Sequence, residues 1–564
     1  MIIENHDIIG GYVDCAAAVS NTLEKNPPKV LLTGTGAGNG PVITIKNTDH
    51  VSMYHFEITG GVGDLGSGVK ITDAWVKLED FIIYDNATTT NGGGINIIES
   101  FNPVHDAELF LNNTKIYNNL SLLDGGGIYC SKADIYADKD SGISVNRTIQ
   151  ADSNGGGLYL EYCKLRFFGG TNKAVDSIDI ESYKGISNNS TTGHGGGIYA
   201  LSSEVYLMGG HYNMGEFNNL GFEGTPLNLN HNTADSDLNN DGNGGGVYVK
   251  GQLLGPASLE VHRGKVQFNS AYNGGAFYVG ENTSFIMSKS RLTLPQEQVP
   301  HDHVDPCWSQ KCNVLSHNSA KRLGGALYIE GGSNSIIGQT YITDNRANFG
   351  TVISLDSTDS NNDIHLYQNF IYHNGRDGMG DFLDRNVFEI YNNSPSPLSG
   401  FSSLNIELNT IVDNHTTSSV FKLKGANNHL KVLSSILDDH TTPQIGDLTG
   451  STSSALFDCI IVNETASIGV SFATLTRIEV SDPGFEIRNY DYHIKPDSNA
   501  IDFCDDSLSG RTQLLTTDID GQSRPVDDTH VTEFYGSWDL GADEGYQWPI
   551  DQRDTIFIDS FDWD

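Results

Sequence analysis

"NGGGVYV" occupies residues 243–249, and close copies recur as "NGGGINI" at 91–97, "DGGGIYC" at 124–130, "NGGGLYL" at 154–160, "HGGGIYA" at 194–200, "NGGAFYV" at 273–279 and "LGGALYI" at 323–329. The first glycine of each heptad falls at 92, 125, 155, 195, 244, 274 and 324, in steps of 33, 30, 40, 49, 30 and 50. A step near 30 reads as one turn of a solenoid. A longer step reads either as one turn with an insertion or as two turns of which one is degenerate. Tandem glycines permit positive φ and close backbone approach, which a sharp corner between strands requires.

A second signature, built on asparagine, precedes most heptads: "YDNAT" at 84–88, "IYNNLS" at 116–121, "ISNNST" at 186–191, "FNSA" at 268–271, "SHNSA" at 316–320 and "TDNRA" at 343–347. Asparagine tolerates the left-handed region, and its side chains can stack as a hydrogen-bonded ladder on successive turns. Pieces such as "AELFLNNTKIYNN" at 107–119 and "SLEVHRGKVQFN" at 258–269 alternate with period two. One turn therefore reads as three short parallel strands separated by bends. With 63 glycines and only 18% charged residues, the chain is predicted to be all-β, a right-handed parallel β-helix solenoid of pectate-lyase-like architecture.

Alternation places the residues flanking one tyrosine per turn in the core and points Tyr129, Tyr159, Tyr199, Tyr248, Tyr278 and Tyr328 outward as an aromatic stripe. Such a stripe could stack sugar rings or stiffen the sheet, and both readings stay open.

The heptads and asparagine corners resemble those of right-handed parallel β-helix surface proteins, including polymorphic outer-membrane proteins. The segments "SDPGFEIRNYDYHIKPDSNAIDFCD" at 481–505, "TDIDGQSRPV" at 517–526 and "DLGADEG" at 539–545 are similar to the choice-of-anchor Q domain that ends bacterial β-helix proteins. "IFIDSFDWD" at 556–564 is similar to tails of secreted proteins in that group. The resemblance implies export and a surface or secreted location, and it carries no assigned catalytic residues. The expected organisation is a cap over 1–50, with a short helix in "DCAAAVSNTLEK" at 14–25, and then repeats over 51–480 with a loop insertion near 294–312. An anchor-like region over 481–548 closes the end, and a tail follows over 549–564.

A net charge of −38 disfavours nucleic acid and anionic membranes and makes cations the natural partners. No run of about 18 apolar residues is present to span a membrane. The opening "MIIENHDIIGGYVDC" has no basic and apolar leader, so either a signal was removed or the chain begins inside a longer precursor. Of seven cysteines, Cys307 with Cys312 and Cys459 with Cys504 are the expected disulfide pairs, which need an oxidising compartment.

Asp237-x-Asn239-x-Asp241-Gly242, preceded by Asp235, is the first half of a calcium loop, although Tyr248 stands where the closing glutamate would be. The alternative is a bare acidic turn. Cys307, Cys312, His301 and His303 lack strong zinc spacing. Fragments of glycoside-hydrolase motifs, Asp49 in "NTD", His194 in "GHG" and the adjacent Asp438 and Asp439, stand in the wrong order, and His194 reads as a corner substitution. Arg263, the candidate base of a polysaccharide lyase, reads as a solvated strand residue. The resulting expectation is an extracellular or cell-surface protein, non-catalytic, binding glycan or protein partners as an adhesin would. The alternatives are a carbohydrate-active enzyme (a polysaccharide lyase or glycoside hydrolase) and self-association into an extracellular filament.

Overall fold

A computed structural model describes residues 6–12, 28–34, 40–64, 66–101, 103, 105–138, 140–169, 184–209, 226–288, 313–357, 361–376, 382–392, 400–439, 445–449, 453–462, 473–487, 491–505, 518–519, 524 and 535–543. The helix expected over 14–25 and the cysteine and histidine loop at 301–312 lie outside these residues. Thirty-eight strands form one continuous parallel hydrogen-bonded system, a parallel β-helix. Among the described residues no helix is long and apolar enough to cross a membrane.

One rung shows the plan. Ile128–Ser131 follows the glycines on the first face, Asp134–Ala137 lies on the second and Gly142–Ser144 on the third, with the short Arg147–Thr148 strand leading to the next glycine corner. Each strand pairs in register with its equivalent one rung on, so Tyr129 opposes Tyr159 and Ile128 opposes Leu158. Ile128, Cys130, Leu158, Leu160, Val247 and Val249 point inward and are fully buried in one continuous core.

Pairing decides between the two readings of the long steps. Val247 pairs directly with Ile198, and Leu327 with Phe277, so steps of 49 and 50 residues are single rungs. Beyond a short excess between Asn232 and Gly244, the additional residues leave between the second and third strands, after Phe168, Met208 and Ser288. Insertions at that corner leave the ladders in register, which is why repeat length varies while strand spacing does not.

The two corner signatures have separate physical causes. Gly244 adopts φ of +68°, and a Cβ on Gly245 would sit 2.3 Å from the carbonyl oxygen of Gly275 on the next rung. At the other corner the asparagines form the expected ladder, running through Asn86, Asn119, Asn146, Asn189, Asn232, Asn269, Asn318, Asn345, Asn374 and Asn414. Each Nδ2 donates to the Oδ1 of the next at 3.0–3.1 Å. The Nδ2 of Asn232 also donates to the Ile186 carbonyl one rung back, and its Oδ1 accepts the Asn189 backbone N–H.

The residue before each ladder asparagine is left-handed, and Val145 (φ +58°) stands between Asn118 and Asn188 in that column. A β-branched residue is strained there, so Val145→Asn is expected to stabilise the chain by about 1 kcal/mol, read as a rise in denaturation midpoint.

The described residues of 481–543 pack against the side of the solenoid. Phe485, Tyr492, Ile494, Ile501, Phe503 and Leu540 pack with Phe370, Val412, Ile436 and Ile461, which lie on the third-face strands. Hydrogen bonds from Gly541 N to Ser434 O (3.0 Å) and Ala542 N to Thr410 Oγ1 (3.1 Å) fasten this flank, as does a Cys459–Cys504 disulfide. Strands such as Thr410–Val412 are buried on both faces, which explains their loss of alternation. A second disulfide, Cys130–Cys163, joins adjacent rungs.

Candidate functional site

The six tyrosines stack along the first face, with successive ring centroids 5.1, 4.9, 5.0, 4.6 and 5.0 Å apart. Neighbouring rings therefore occupy one another's faces, and Tyr248, Tyr278 and Tyr328 are only 7–8% exposed. What reaches the surface is ring edge and hydroxyl rather than an open aromatic face. Burial pushes the phenols of Tyr129 and Tyr199 up to about 12 and raises those of Tyr159, Tyr248, Tyr278 and Tyr328 as well, so all six remain hydrogen-bond donors at neutral pH.

A polar ladder borders this stripe at the glycine corner. Asp124, Asn154 and His194 take the same position on successive rungs. The backbone N–H of Asn154 donates to Asp124 Oδ1 (2.8 Å), that of His194 to Asn154 Oδ1 (2.9 Å), and that of Asn243 to His194 Nδ1 (3.2 Å). His194 thus uses Nδ1 as an acceptor and stacks on Tyr248 at 4.7 Å, a structural role.

A second aromatic row, not singled out from the sequence, lies on the second face. Trp75 is sandwiched by His50 (4.2 Å) and Phe110 (4.8 Å), Phe110 stacks on Tyr136 (4.6 Å), and the Arg166 guanidinium sits 5.3 Å from the Tyr136 ring and 5.6 Å from that of Tyr206. All five residues from Trp75 to Tyr206 are half-buried. Glu108 and Asp134 stand opposite each other beside the row. Burial foremost, then the charges of Asp134 and Asp106, raises the Glu108 carboxyl. The signal was the outward middle residue of each second strand, visible only once the rungs are aligned.

Asp235, Asp237 and Asp241 converge, with one oxygen from each within 4.8 Å of the others. Asp235 is buried and accepts the Asn240 N–H at 3.0 Å, while Asn239 Oδ1 accepts the Asp241 N–H at 3.2 Å. Desolvation, then the carboxylates of Asp152, Asp235 and Asp237, raises the Asp241 carboxyl. Hard oxygen donors in a tight turn fit a divalent cation.

The hydrolase fragments are not brought together. Asp49 lies five rungs before His194, and Asp438 at least seven rungs beyond it, so about 24 Å or more separates the nearest two along the axis. Arg263 occupies a left-handed corner (φ +52°), and its carbonyl accepts the Leu227 N–H.

Four histidines make stability depend on pH. Desolvation is the leading cause that lowers His194, His231, His317 and His373 below the ordinary 6.5, so the unfolded chain takes up protons first as pH falls. Their contribution is present above about 6.5 and is lost below it, whereas His365, raised by its bond to Asp363, acts in the opposite sense. Four groups against one predict a falling melting temperature between about pH 7.5 and pH 6. His194→Asn, which matches its corner neighbours, is expected to flatten that slope. At lower pH Asp124, Asp138 and Asp384, all raised chiefly by burial, bind protons in the folded state and oppose the loss.

A family profile described as the Chlamydia polymorphic membrane protein (Chlamydia_PMP) repeat matches residues 186–201. That stretch runs from the Asn189 corner through the His194 glycine corner to Ile198–Leu201, the connection from a third strand to the next first strand. No curated protein and no solved structure matches the chain.

Proposed function

We infer that the chain is a cell-surface β-helix protein that binds a partner along its side, as an adhesin does. The observation that carries this reading is the half-buried row Trp75, Phe110, Tyr136, Arg166 and Tyr206, held on paired strands beside carboxylates. The repeat match supports the surface location. Edge-presented aromatics suit a protein partner better than sugar stacking, and a net charge of −38 favours a basic one. In the same reading residues 481–548 are a choice-of-anchor-Q-like region.

The test is adhesion of the purified protein to cell surfaces pretreated with either protease or glycosidases. Loss after protease alone, weakening with salt and weakening in Trp75→Ala/Tyr206→Ala are the expected results. Loss after glycosidases alone would turn the reading to a glycan, and chain shortening of an added polysaccharide would replace it with an enzyme.

Asp235, Asp237, Asn239 and Asp241 are assigned here as a calcium site that stiffens the corner before Gly244. Calcium at about a hundred times its dissociation constant would then stabilise the folded chain by about 2.7 kcal/mol. Chelation should lower the melting temperature, and Asp237→Asn/Asp241→Asn should abolish the difference. An unchanged melting temperature on chelation would remove the assignment.

A further inference from the structure

Glu260, His262, Ser288 and Tyr367 form a relay across four rungs on the second face. His262 pairs with Ser288 one rung on, and Gly338 with Tyr367. His262 Nε2 lies 3.2 Å from Glu260 Oε2, and Nδ1 lies 3.3 Å from Ser288 Oγ and 3.1 Å from the Ser288 carbonyl oxygen. A carboxylate at Nε2 places the proton of a neutral ring there. Nδ1 is then an acceptor, which the hydroxyl can satisfy and the carbonyl cannot. The Tyr367 phenol also hydrogen-bonds the Ser288 side chain. Its ring reaches that position by lying over Gly338, where a Cβ would stand 2.0 Å from Tyr367 Cζ. The hydroxyl of one residue thus meets an oriented base and a phenol, in a setting where Ser288 is 1% and His262 3% exposed.

We propose that Ser288, His262 and Glu260, with Tyr367, constitute a serine acyl-transfer site that hydrolyses esters of small apolar acyl groups. Nucleophile, base and orienting carboxylate are each within hydrogen-bond reach of the next, with the two ring nitrogens exchanged relative to the serine-protease arrangement. The near-closed surroundings of Ser288 limit the acyl group in size. Ile286 and Ile336, half-buried two residues before Ser288 and Gly338 on the same face, give it an apolar neighbour.

In the first step the Oγ–carbonyl bond forms as the hydroxyl proton passes to Nδ1. The phenol of Tyr367 is placed to donate to the oxyanion. The ester C–O bond then breaks as the proton passes from Nδ1 to the leaving alcohol. Water, deprotonated by Nδ1, attacks the acyl-serine and releases the carboxylic acid and free Ser288. Glu260 is a positioning residue, holding the imidazole and its charged form.

The experiment treats the full chain with a small dialkyl fluorophosphate and with p-nitrophenyl acetate and butyrate, with peptide mass spectrometry to locate the adduct. A single adduct on Ser288 and matching ester hydrolysis are expected, both lost in Ser288→Ala with an unchanged melting curve. His262→Gln should slow labelling by roughly a hundredfold. Glu260→Gln should slow it too, with partial recovery in Glu260→Asp, which a purely structural carboxylate would not give. Tyr367→Phe, which keeps the ring over Gly338, should slow hydrolysis without unfolding the rung. No adduct on the natively melting protein, an adduct elsewhere, or activity that survives Ser288→Ala would overturn the proposal. The adhesion experiments read a different row, so either reading can fail alone.

Discussion

Asn232→Leu is expected to destabilise the solenoid by on the order of 4 kcal/mol, although leucine matches asparagine closely in size. The substitution removes both the donor and the acceptor of one ladder member. It leaves the Asn189 N–H and Nδ2, the Asn269 Oδ1 and the Ile186 carbonyl without that partner, all in the interior. A buried polar group stranded in this way costs about 1–3 kcal/mol, which is why replacing one partner is worse than replacing both. In a repeat protein each rung is stabilised mainly by its neighbours, so the loss should appear locally before it appears globally. Hydrogen exchange should accelerate first at the amides of residues 186–190 and 264–270, and thermal unfolding should separate into two steps. Asn232→Leu with a melting curve like the parent's would show that the ladder is ornamental.

Gly245→Ala is the second large expected effect, at about 3 kcal/mol. Its added methyl would meet the Gly275 carbonyl oxygen at 2.3 Å and the Ser270 carbonyl oxygen at 2.5 Å, both backbone atoms that cannot rotate away. The third glycine of the same corner makes an internal control. Gly246 has its nearest neighbour at 2.7 Å, and on the next two rungs alanine already stands at the equivalent positions, Ala276 and Ala326. Gly246→Ala should therefore cost about 1 kcal/mol or less, and denaturation midpoints of the two variants decide the point.

The contrast explains why the corner was readable in sequence. Within the heptads only the last of the three glycines gives way to alanine, so they stand out against any background, and the signature fades one rung later where Thr351 and Val352 follow Gly350. The asparagine corner was readable for a related reason, since a buried side chain must both donate and accept along the axis. Its members Asn146, Asn232, Asn374 and Asn414 were passed over; Val145 and Arg147 obscure the first, whereas His231–Ala234 matches His317–Ala320 and was legible.

Features that depend on rung alignment were hidden. Cys130 was read as an inward apolar residue, yet its partner Cys163 lies 33 residues away, close to one rung's length. Glu260, His262, Ser288 and Tyr367 are separated by an insertion after Ser288 and by unequal rung lengths, so no fixed spacing marks them. The lateral packing of the described residues of 481–543 was hidden too. Apolar runs at 410–412, 435–437 and 459–462 signal a strand covered on both sides but not what covers it.

The corner hydrogen bonds also bear on how the protein ages. Asn91, Asn154, Asn243, Asn273 and Asn374 each precede a glycine, the sequence context in which an asparagine side chain is most readily attacked by the following amide nitrogen to form a succinimide. In the folded chain every one of those nitrogens is engaged: Gly92, Gly155, Gly244, Gly274 and Gly375 donate to carbonyl oxygens of an adjacent rung at 2.9–3.0 Å. Deamidation at these positions must wait for a rung to open, so the fold shields five chemically fragile bonds. The same contacts that set the corner also set the shelf life of the chain.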